Sequence, residues 1–329
     1  MTSTLPLSTF VFPGQGAQQV GMGRALYEAH PLAREIYDEA DAILGFPLSR
    51  LCFDGPKADL DDTINTQPAL YVTSIALWRV AETVGAVSGT AAYVAGHSLG
   101  EYTALTAAGA LPFEAGARLV RARGEAMKAA GLAAPGGMAA VLGGEDELVA
   151  AVCAEVSREN EPVQVANYNC PGQVVISGAR PAVDRAVSAL QARGITRVMP
   201  LDVSIAAHST LMAPAVASFA KVVNAAPLSP PLVPVIANLT ARPLESLEDI
   251  RAELIGQLTG SVRWTATIEF LIAHGVQTFI EIGPGNILNG LVKRVARNST
   301  RINLSSWSAI QEARSEASSS APHASESST

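Results

Sequence analysis

The chain is poor in residues that several protein classes depend on. It has three cysteines, Cys52, Cys153 and Cys170, and none of them stands in a Cys-x-x-Cys pair. This set predicts reduced thiols, with neither a disulfide framework nor a cysteine metal site. Positive charge is also scarce, since the net charge is -7. Phosphate binding needs clustered positive charge, so we expect no nucleic-acid binding.

Long apolar runs are missing as well. No uninterrupted stretch of about 18 apolar residues is present, which argues against a transmembrane helix. Residues 1–10 have neither the basic start nor the long apolar stretch of a secretory leader. We therefore expect a cytoplasmic protein that does not associate with membranes.

What the chain does have is an alternation of apolar strands and helices. The composition, 48% hydrophobic and 16% charged, is that of a folded protein. The strand 7–12 ends in the loop Pro13-Gly14-Gln15-Gly16, and a second strand, 91–95, ends in Gly96-His97-Ser98-Leu99-Gly100. Helical stretches follow each strand, which predicts an α/β fold with a parallel sheet covered on both faces.

A different rhythm occupies residues 135–202. Strands and helices there follow the order βαββαβ, the split βαβ pattern of a ferredoxin-like subdomain. We therefore predict a discontinuous core of residues 1–134 and 203–312, interrupted by this insertion. Residues 313–329 are rich in Ser, Glu and Ala. They are expected to form a disordered tail because they cannot bury enough apolar surface.

Ser98 is the candidate nucleophile. A serine between two glycines, on a turn from strand to helix, is the nucleophile elbow of α/β-hydrolase-like cores, and glycine tolerates the crowding on either side. The following helix adds free amides and its positive end near the hydroxyl. The bare Gly-x-Ser-x-Gly pattern also arises by chance, but the strand before it and the helix after it favour the elbow.

A serine nucleophile needs a base, and the chain has five histidines. His30 lies at a helix boundary, His274 suits a helix C-terminus, and His323 lies in the tail. His97 adjoins the serine, where neighbouring side chains usually diverge. His208 is therefore the preferred base, and the alternative is a polar helix-capping cluster.

Arg123 is the candidate receptor for a substrate carboxylate. On the helix 113–130, Arg118 and Arg121 have acidic residues at helical spacing, whereas Arg123 lies among apolar neighbours. A buried guanidinium needs an anion, and its planar fork binds a carboxylate through two hydrogen bonds. The anion is either the substrate or a distant acid of the protein itself.

Together these residues resemble the malonyl-CoA:acyl-carrier-protein transacylase family and the related acyltransferase domains of polyketide synthases. The likeness extends over about residues 10–305. The matching stretches are Phe12-Pro13-Gly14-Gln15-Gly16-Ala17-Gln18, Thr66-Gln67-Pro68-Ala69-Leu70, Gly96-His97-Ser98-Leu99-Gly100-Glu101-Tyr102, Arg123-Gly124, Asn167-Tyr168-Asn169-Cys170-Pro171-Gly172-Gln173, His208-Ser209 and Glu281-Ile282-Gly283-Pro284-Gly285.

The resemblance implies a role for each of these matching positions. Ser98 would be the nucleophile, His208 the base and Arg123 the partner of the acyl carboxylate. The backbone amides of Gln15 and Leu99 would form the oxyanion hole. The main-chain carbonyl of Gln257 would orient the histidine, and Gln67 and Asn167 would line the pocket.

The same resemblance implies the reaction and its partners. Malonyl-CoA would donate the acyl group and acyl carrier protein would accept it on its phosphopantetheine thiol, in a ping-pong cycle without metal or cofactor. Relatives indicate a monomer. One departure concerns Ala206-Ala207, because many malonyl-selective relatives carry Ala-Phe there. A smaller wall leaves a methylmalonyl-type donor as an alternative.

Two other functions compete with acyl transfer. The first is a serine thioesterase or esterase, which would share the elbow but pass the acyl group to water; a buried cation such as Arg123 is not a general need of such enzymes. The second is a non-catalytic module that docks a carrier protein. Docking itself has a candidate surface in a basic cluster, which serves equally well as charge at a helix end. Its members are Lys293, Arg294, Arg297 and Arg301.

Overall fold

The computed structural model describes residues 7–87, 91–201, 203 and 205–320. Its strands are β1 (Leu7–Phe12), β2 (Tyr93–Gly96), β3 (Gly136–Leu142), β4 (Val163–Cys170), β5 (Gln173–Ala179), β6 (Arg197–Pro200), β7 (Val235–Ile236), β8 (Val276–Ile282) and β9 (Thr300–Leu304).

The helices are spread along the whole described chain. They are α1 (Arg24–Ala29), α2 (Pro31–Leu44), α3 (Leu48–Asp54), α4 (Lys57–Asp61), α5 (Thr63–Thr83), α6 (Gly100–Ala107), α7 (Phe113–Ala133), α8 (Asp146–Val156), α9 (Arg180–Ala192), α10 (Ala213–Ala225), α11 (Leu247–Gly256), α12 (Trp264–Ala273), α13 (Ile287–Val295) and α14 (Trp307–Ser320).

A parallel sheet of five strands, in the order β7-β2-β1-β8-β9, carries the nucleophile elbow. The strands β1, β2 and β8 are buried over most of their length, because helices cover both faces of the sheet. Phe10 and Phe12 pack with residues of α5 and α7 on one face, while Val11 packs with α12 and α13 on the other. Phe12 pairs with Gly96 at the carboxyl ends of β1 and β2. This pairing sets the loop after β1 beside Ser98, at the sheet edge where α/β proteins bind ligands.

A separate antiparallel sheet of four strands has the order β4-β5-β3-β6. Its connectivity is β3-α8-β4-β5-α9-β6, the order of elements expected for residues 135–202. The helices α8 and α9 cover one face with Val149, Val152 and Leu190, among others. The structure is therefore a mixed α/β fold with two distinct sheets.

Two hydrogen bonds join the antiparallel sheet to the segment that precedes α12. The amide of Tyr168 donates to the carbonyl of Val262 at 2.9 Å, and the amide of Val262 donates to Ala166 at 2.8 Å. Because Tyr168 and Ala166 both lie on β4, these bonds hold that strand against the segment that follows α11. The contact brings residues of both sheets to one site.

The long helices α5 and α7 cross at close range. A Cβ atom added to Gly124 would lie 2.8 Å from both Cα of Ile64 and the carbonyl oxygen of Thr63, so only glycine allows this approach. The close crossing places Arg123 on α7 next to Gln67 on α5.

The expected disorder from residue 313 is wrong for residues 313–320, because α14 runs to Ser320. Ile310 on α14 is fully buried, and the ring of Trp307 lies 6.0 Å from that of His30. A helix that is anchored in this way extends easily, since adding a residue costs far less than nucleation. Residues 321–329 lie outside the described part of the chain. The strand β9 is a further element that the sequence did not predict.

Candidate active site

Ser98 lies on a sharp turn between β2 and α6. Its φ of 52° is left-handed, a conformation that is rare for a residue with a side chain. A Cβ on Gly96 would lie 1.9 Å from the backbone of Gly100, and one on Gly100 would lie 2.0 Å from the oxygen of Phe12. The two glycines are therefore required by backbone crowding. The turn has the geometry of a nucleophile elbow.

Asn238 braces this turn from the side, and sequence reasoning missed it. Its Oδ1 accepts a hydrogen bond from the amide of Ser98 at 2.7 Å, and its Nδ2 donates to the oxygen of Gly96 at 2.7 Å. Asn238 follows the short strand β7, and an asparagine after an apolar run was the only signal for it. Its partners lie about 140 residues away along the chain.

His208 reaches the serine from a turn beside the antiparallel sheet. Its Nε2 lies 2.8 Å from Oγ of Ser98, while Nδ1 lies 2.8 Å from the oxygen of Gln257 and 3.2 Å from that of Gly260. Both carbonyls accept, so the proton of a neutral ring sits on Nδ1 and leaves Nε2 as the acceptor. Burial, followed by the charge of Arg123, lowers the pKa of His208 to about 3. The imidazole is therefore held neutral, with Nε2 facing the hydroxyl of Ser98.

Arg123 lies on the other side of the serine hydroxyl and is only 2% exposed. Its Nη2 donates to Oγ of Ser98 at 3.1 Å and to Oε1 of Gln257 at 2.7 Å, and its Nη1 donates to Oε1 of Gln67 at 2.9 Å. All three partners are neutral. Within the described residues Arg123 has no ion pair, so the distant structural acid does not contact it.

Two backbone amides beside the elbow have no hydrogen-bond acceptor among the described residues. The amides of Gln15 and Leu99 donate no hydrogen bond to any described protein group. Leu99 precedes the first turn of α6, whose N-terminal end favours negative charge. A Cβ on Gly14 would lie 2.3 Å from the oxygen of His97, so the loop that carries Gln15 packs directly on the elbow.

Gln257 contributes more than the carbonyl oxygen that was expected of it. Its side-chain Nε2 donates to the oxygen of Ser98 at 3.2 Å and to Oε2 of Glu101. Its Oε1 accepts from Arg123. The residue therefore touches the base, the nucleophile and the guanidinium. Glu101 is a further buried residue of this network that sequence reasoning did not assign to the site.

The remaining predicted residues lie at different distances from this cluster. Gln67 is fully buried and contacts both Arg123 and Thr63. Asn167 is buried on β4, where its backbone pairs with Val262. In the described part of the chain, no side chain of the site forms a hydrogen bond with the side chain of Asn167.

The other described histidines have structural partners. Nδ1 of His30 accepts from the amide of Leu32 at the start of α2. Nδ1 of His274 lies 2.7 Å from the oxygen of Phe270 at the end of α12. Nε2 of His97 lies 2.8 Å from Oδ1 of Asn169, directed away from Ser98. His323 lies outside the described residues.

A cavity of about 560 Å3 opens beside Gln15. Thr63 and Ile205 line it, together with Lys57 and Lys128. The hydroxyl of Thr63 donates to the side-chain oxygen of Gln15 at 3.1 Å and accepts from Gln67 at 3.1 Å. A chain of hydrogen bonds thus links Gln15 and Thr63 in the cavity wall to Gln67, which is a partner of Arg123.

Two kinds of feature are absent from the described ranges. Nowhere in them do three His, Cys, Asp or Glu side chains group in a way that could hold a metal ion. Nor do they include a helix that is long and apolar enough to traverse a bilayer.

Comparison with known proteins first gives the class. A family model described as an acyl transferase domain matches residues 9–317. The malonyl CoA-acyl carrier protein transacylase of Bacillus subtilis is 46% identical over 92% of this chain and 94% of its own length. The chain belongs to the malonyl CoA-acyl carrier protein transacylase family.

Further similar proteins include two that are named for polyketide synthesis. The polyketide biosynthesis malonyl CoA-acyl carrier protein transacylase PksC of Bacillus subtilis is 42% identical over 88% of this chain and 97% of its own length. The transacylase structure from Coxiella burnetii is 37% identical with a TM-score of 0.90, covering 94% of this chain and 98% of its own. A malonyl-transacylase solved with its type II polyketide acyl carrier protein is 39% identical, also with a TM-score of 0.90, over 94% and 99%.

Proposed function

We propose that this chain transfers a malonyl group from malonyl-CoA to the phosphopantetheine thiol of acyl carrier protein, through an ester on Ser98. The observation that carries the proposal is Nη2 of Arg123 at 3.1 Å from Oγ of Ser98. A buried cation at this distance matches an acyl group that carries a second, free carboxylate. Family membership supports the same activity.

In the first half-reaction Oγ of Ser98 attacks the thioester carbonyl carbon while Nε2 of His208 takes the hydroxyl proton. The C–S bond then breaks, and the imidazolium returns its proton to the departing sulfur, so coenzyme A leaves as a thiol. In the second half-reaction the phosphopantetheine thiol gives its proton to His208 and attacks the ester carbonyl. The proton passes to Oγ as the C–O bond breaks, which restores Ser98.

The amides of Gln15 and Leu99 would stabilise the oxyanion of each tetrahedral intermediate. Loss of one such donor typically costs about 3 kcal/mol of barrier. Neither half-reaction requires a metal or cofactor, because the histidine moves the proton and the amides stabilise the charge. The carbonyl of Gln257 holds the ring of His208 in place of the usual carboxylate.

Acyl carrier protein would dock on a basic groove of about 450 Å3 lined by Pro171, Lys293, Arg294 and Arg297. The groove adjoins the loop between β4 and β5, and Asn169 on β4 contacts His97 beside the nucleophile. Coenzyme A would occupy the cavity at Gln15, where Gln67 lies close, and Asn167 would line the acyl pocket.

We further propose the finer division of the fold. Residues 1–134 and 203–312 would form an α/β-hydrolase-like core and residues 135–202 a ferredoxin-like subdomain. The antiparallel order β4-β5-β3-β6 supports the subdomain, and the elbow on a parallel sheet supports the core. A cytoplasmic monomer that binds neither nucleic acid nor membrane is the corresponding cellular proposal.

The test is the covalent intermediate itself. Incubation with malonyl-CoA and no carrier protein should leave one malonyl group on the peptide that contains Ser98, detected by mass spectrometry after denaturation. Ser98→Ala should carry none, and His208→Ala should acylate far more slowly. A malonyl group on another residue, or rapid release to water in place of transfer to carrier protein, would contradict the proposal.

A methylmalonyl donor is the second candidate, because Ala206 and Ala207 precede the base. Ala206 is fully buried and Ala207 is partly exposed, so this wall carries two small side chains. Transfer rates from malonyl-CoA, methylmalonyl-CoA and acetyl-CoA, measured side by side, decide between the donors.

A further inference from the structure

Two buried carboxyl groups lie behind the active site. Glu101 is fully buried and Glu253 is 4% exposed. The amide of Asn238 donates to Oε1 of Glu101 at 3.1 Å, and the next amide, that of Leu239, donates to Oε1 of Glu253 at 2.9 Å. Because consecutive amides bind them, the carboxyl groups lie side by side. Neither forms an ion pair with a described residue.

Burial and mutual proximity favour the protonated form of this pair. Burial, followed by the neighbouring charge of Glu253, raises the pKa of Glu101 well above its usual value, and burial also raises the pKa of Glu253. Two adjacent buried carboxyl groups do not both ionise readily. The pair therefore places at most one negative charge behind the site, and that charge does not touch Arg123.

The side-chain amide of Gln257 lies between this pair and Arg123. Its Nε2 donates to Glu101 and to the oxygen of Ser98, while its Oε1 accepts from Arg123. A guanidinium only donates, and the other two partners accept, so one orientation of the amide satisfies all three contacts. In the flipped orientation two donors would face each other at Arg123.

The consequence concerns the charge of Arg123. Its partners Gln67, Gln257 and Ser98 are neutral, so the guanidinium is held in position without being neutralised. Its positive charge stays available to an anionic acyl group. A direct carboxylate partner would compete with the substrate for the same donors.

We propose that Glu101 is a positioning residue for acyl selectivity: its acceptor oxygen holds the amide of Gln257 in the orientation that anchors Arg123 for the substrate carboxylate. The proposal rests on the proposed malonyl transfer and deepens it. What is required of Glu101 is an acceptor oxygen and not a negative charge.

The test compares two substitutions at Glu101. Glu101→Met removes the acceptor, and it should lower the ratio of kcat/KM for malonyl-CoA to that for acetyl-CoA by about tenfold or more, the effect of leaving one buried donor unsatisfied. Glu101→Gln can turn its one carbonyl oxygen towards Gln257 and should then keep the ratio, while its NH2 group faces the amide of Asn238 and should lower both kcat/KM values together. A merely structural role would lower both kcat/KM values together and leave the ratio unchanged.

Glu253→Gln is the matched control, because Glu253 is the other carboxyl of the pair and makes no contact with the amide of Gln257 among the described hydrogen bonds. Its ratio should equal that of the unaltered enzyme. In an Arg123→Ala background, Glu101→Met should change the ratio no further, since the effect acts through the guanidinium.

Two results would overturn the proposal. One is an unchanged ratio in Glu101→Met, and the other is a loss of the ratio in Glu101→Gln as large as in Glu101→Met. If Glu101→Met does not fold, Glu101→Ala, whose side chain also cannot accept from Gln257, decides the question by the same ratio. An unaltered enzyme without a preference for malonyl-CoA would instead refute the carboxylate receptor itself.

Discussion

Arg123 gives the sharpest test at the scale of single residues. Arg123→Ala should lower kcat/KM for malonyl-CoA by about a hundredfold, since a buried charge-assisted contact is worth about 3 kcal/mol. The value for acetyl-CoA, which has no carboxylate, should change little. The measurement is acylation of Ser98 with each donor. Equal losses for the two donors would remove the carboxylate-receptor role.

The low pKa of His208 leads to a prediction about how activity and stability depend on pH. Its pKa is lowered to about 3 from 6.5, so the ring stays neutral in the folded enzyme while the unfolded chain would bind a proton below about pH 6.5. Activity should therefore persist as the pH falls through 6.5, while the free energy of unfolding decreases from that pH downward. Acylation rates and urea unfolding between pH 8 and pH 4 check both effects. An acid limb centred at pH 6.5 would contradict the lowered pKa.

Removing the charge of Arg123 should raise the pKa of His208. Arg123 lies beside the imidazole, and its charge is the second cause of the low value. In Arg123→Ala, with acetyl-CoA as donor, the acid limb should therefore appear at higher pH than in the unaltered enzyme.

At the scale of elements, the elbow depends on the close approach of β1, β2 and α6. Gly100→Ala would place a methyl group 2.0 Å from the oxygen of Phe12 and 3.0 Å from that of Pro13, and both are backbone atoms that cannot move aside easily. We expect a loss of about 3 kcal/mol or more in the free energy of unfolding, measured in urea.

Gly290→Ala is the matched control for this substitution. Gly290 lies inside α13, and a Cβ there would meet no atom within 4 Å. Alanine should be neutral or stabilising by about 0.5 to 1 kcal/mol, because it favours the helix. Similar destabilisation by both substitutions would mean that crowding at the elbow is not the cause.

The four residues of the basic cluster make different contacts in the folded structure. Arg301 donates to the oxygens of Ala296 and Ser299 after α13, which is the helix-end role. Arg294 donates to Pro171 and Gln173 and so ties α13 to the antiparallel sheet. Lys293 and Arg297 are exposed and line the groove without a hydrogen bond or ion pair to another described side chain.

At the scale of the whole molecule, Lys293 and Arg297 are the residues with which the docking of acyl carrier protein can be tested. The double variant Lys293→Glu, Arg297→Glu should raise KM for acyl carrier protein at least several-fold at low salt, because it replaces attraction for an acidic partner with repulsion. Acylation by malonyl-CoA alone should not change. Lys221→Glu on α10 makes the same kind of charge change at an exposed site and serves as the control.

A comparable KM for carrier protein in the double variant and in Lys221→Glu would place docking elsewhere. The groove joins α13 to the loop between β4 and β5, so it exists only when both sheets are assembled.

The local sequence pattern was sufficient to predict features that depend on residues close together in the chain. The elbow, the order of elements in residues 135–202 and the isolation of Arg123 on its helix could be predicted from spacing and apolar periodicity, because those depend on neighbours in sequence. The choice of His208 followed from having few histidines to consider. Family likeness supplied Gln15, Leu99 and Gln257, whose sequence surroundings show no chemistry.

Only the tertiary structure decided the rest. Asn238, Glu101 and the side chain of Gln257 acquire their contacts across more than 130 residues of chain, and no local pattern encodes such distances. The helix α14 is anchored by Ile310, which is buried against the fold near its start, and no local pattern predicts that contact. Sequence alone determined which groups can react, and packing determined their neutral partners, since hydrogen bonding and desolvation depend on what lies nearby in space.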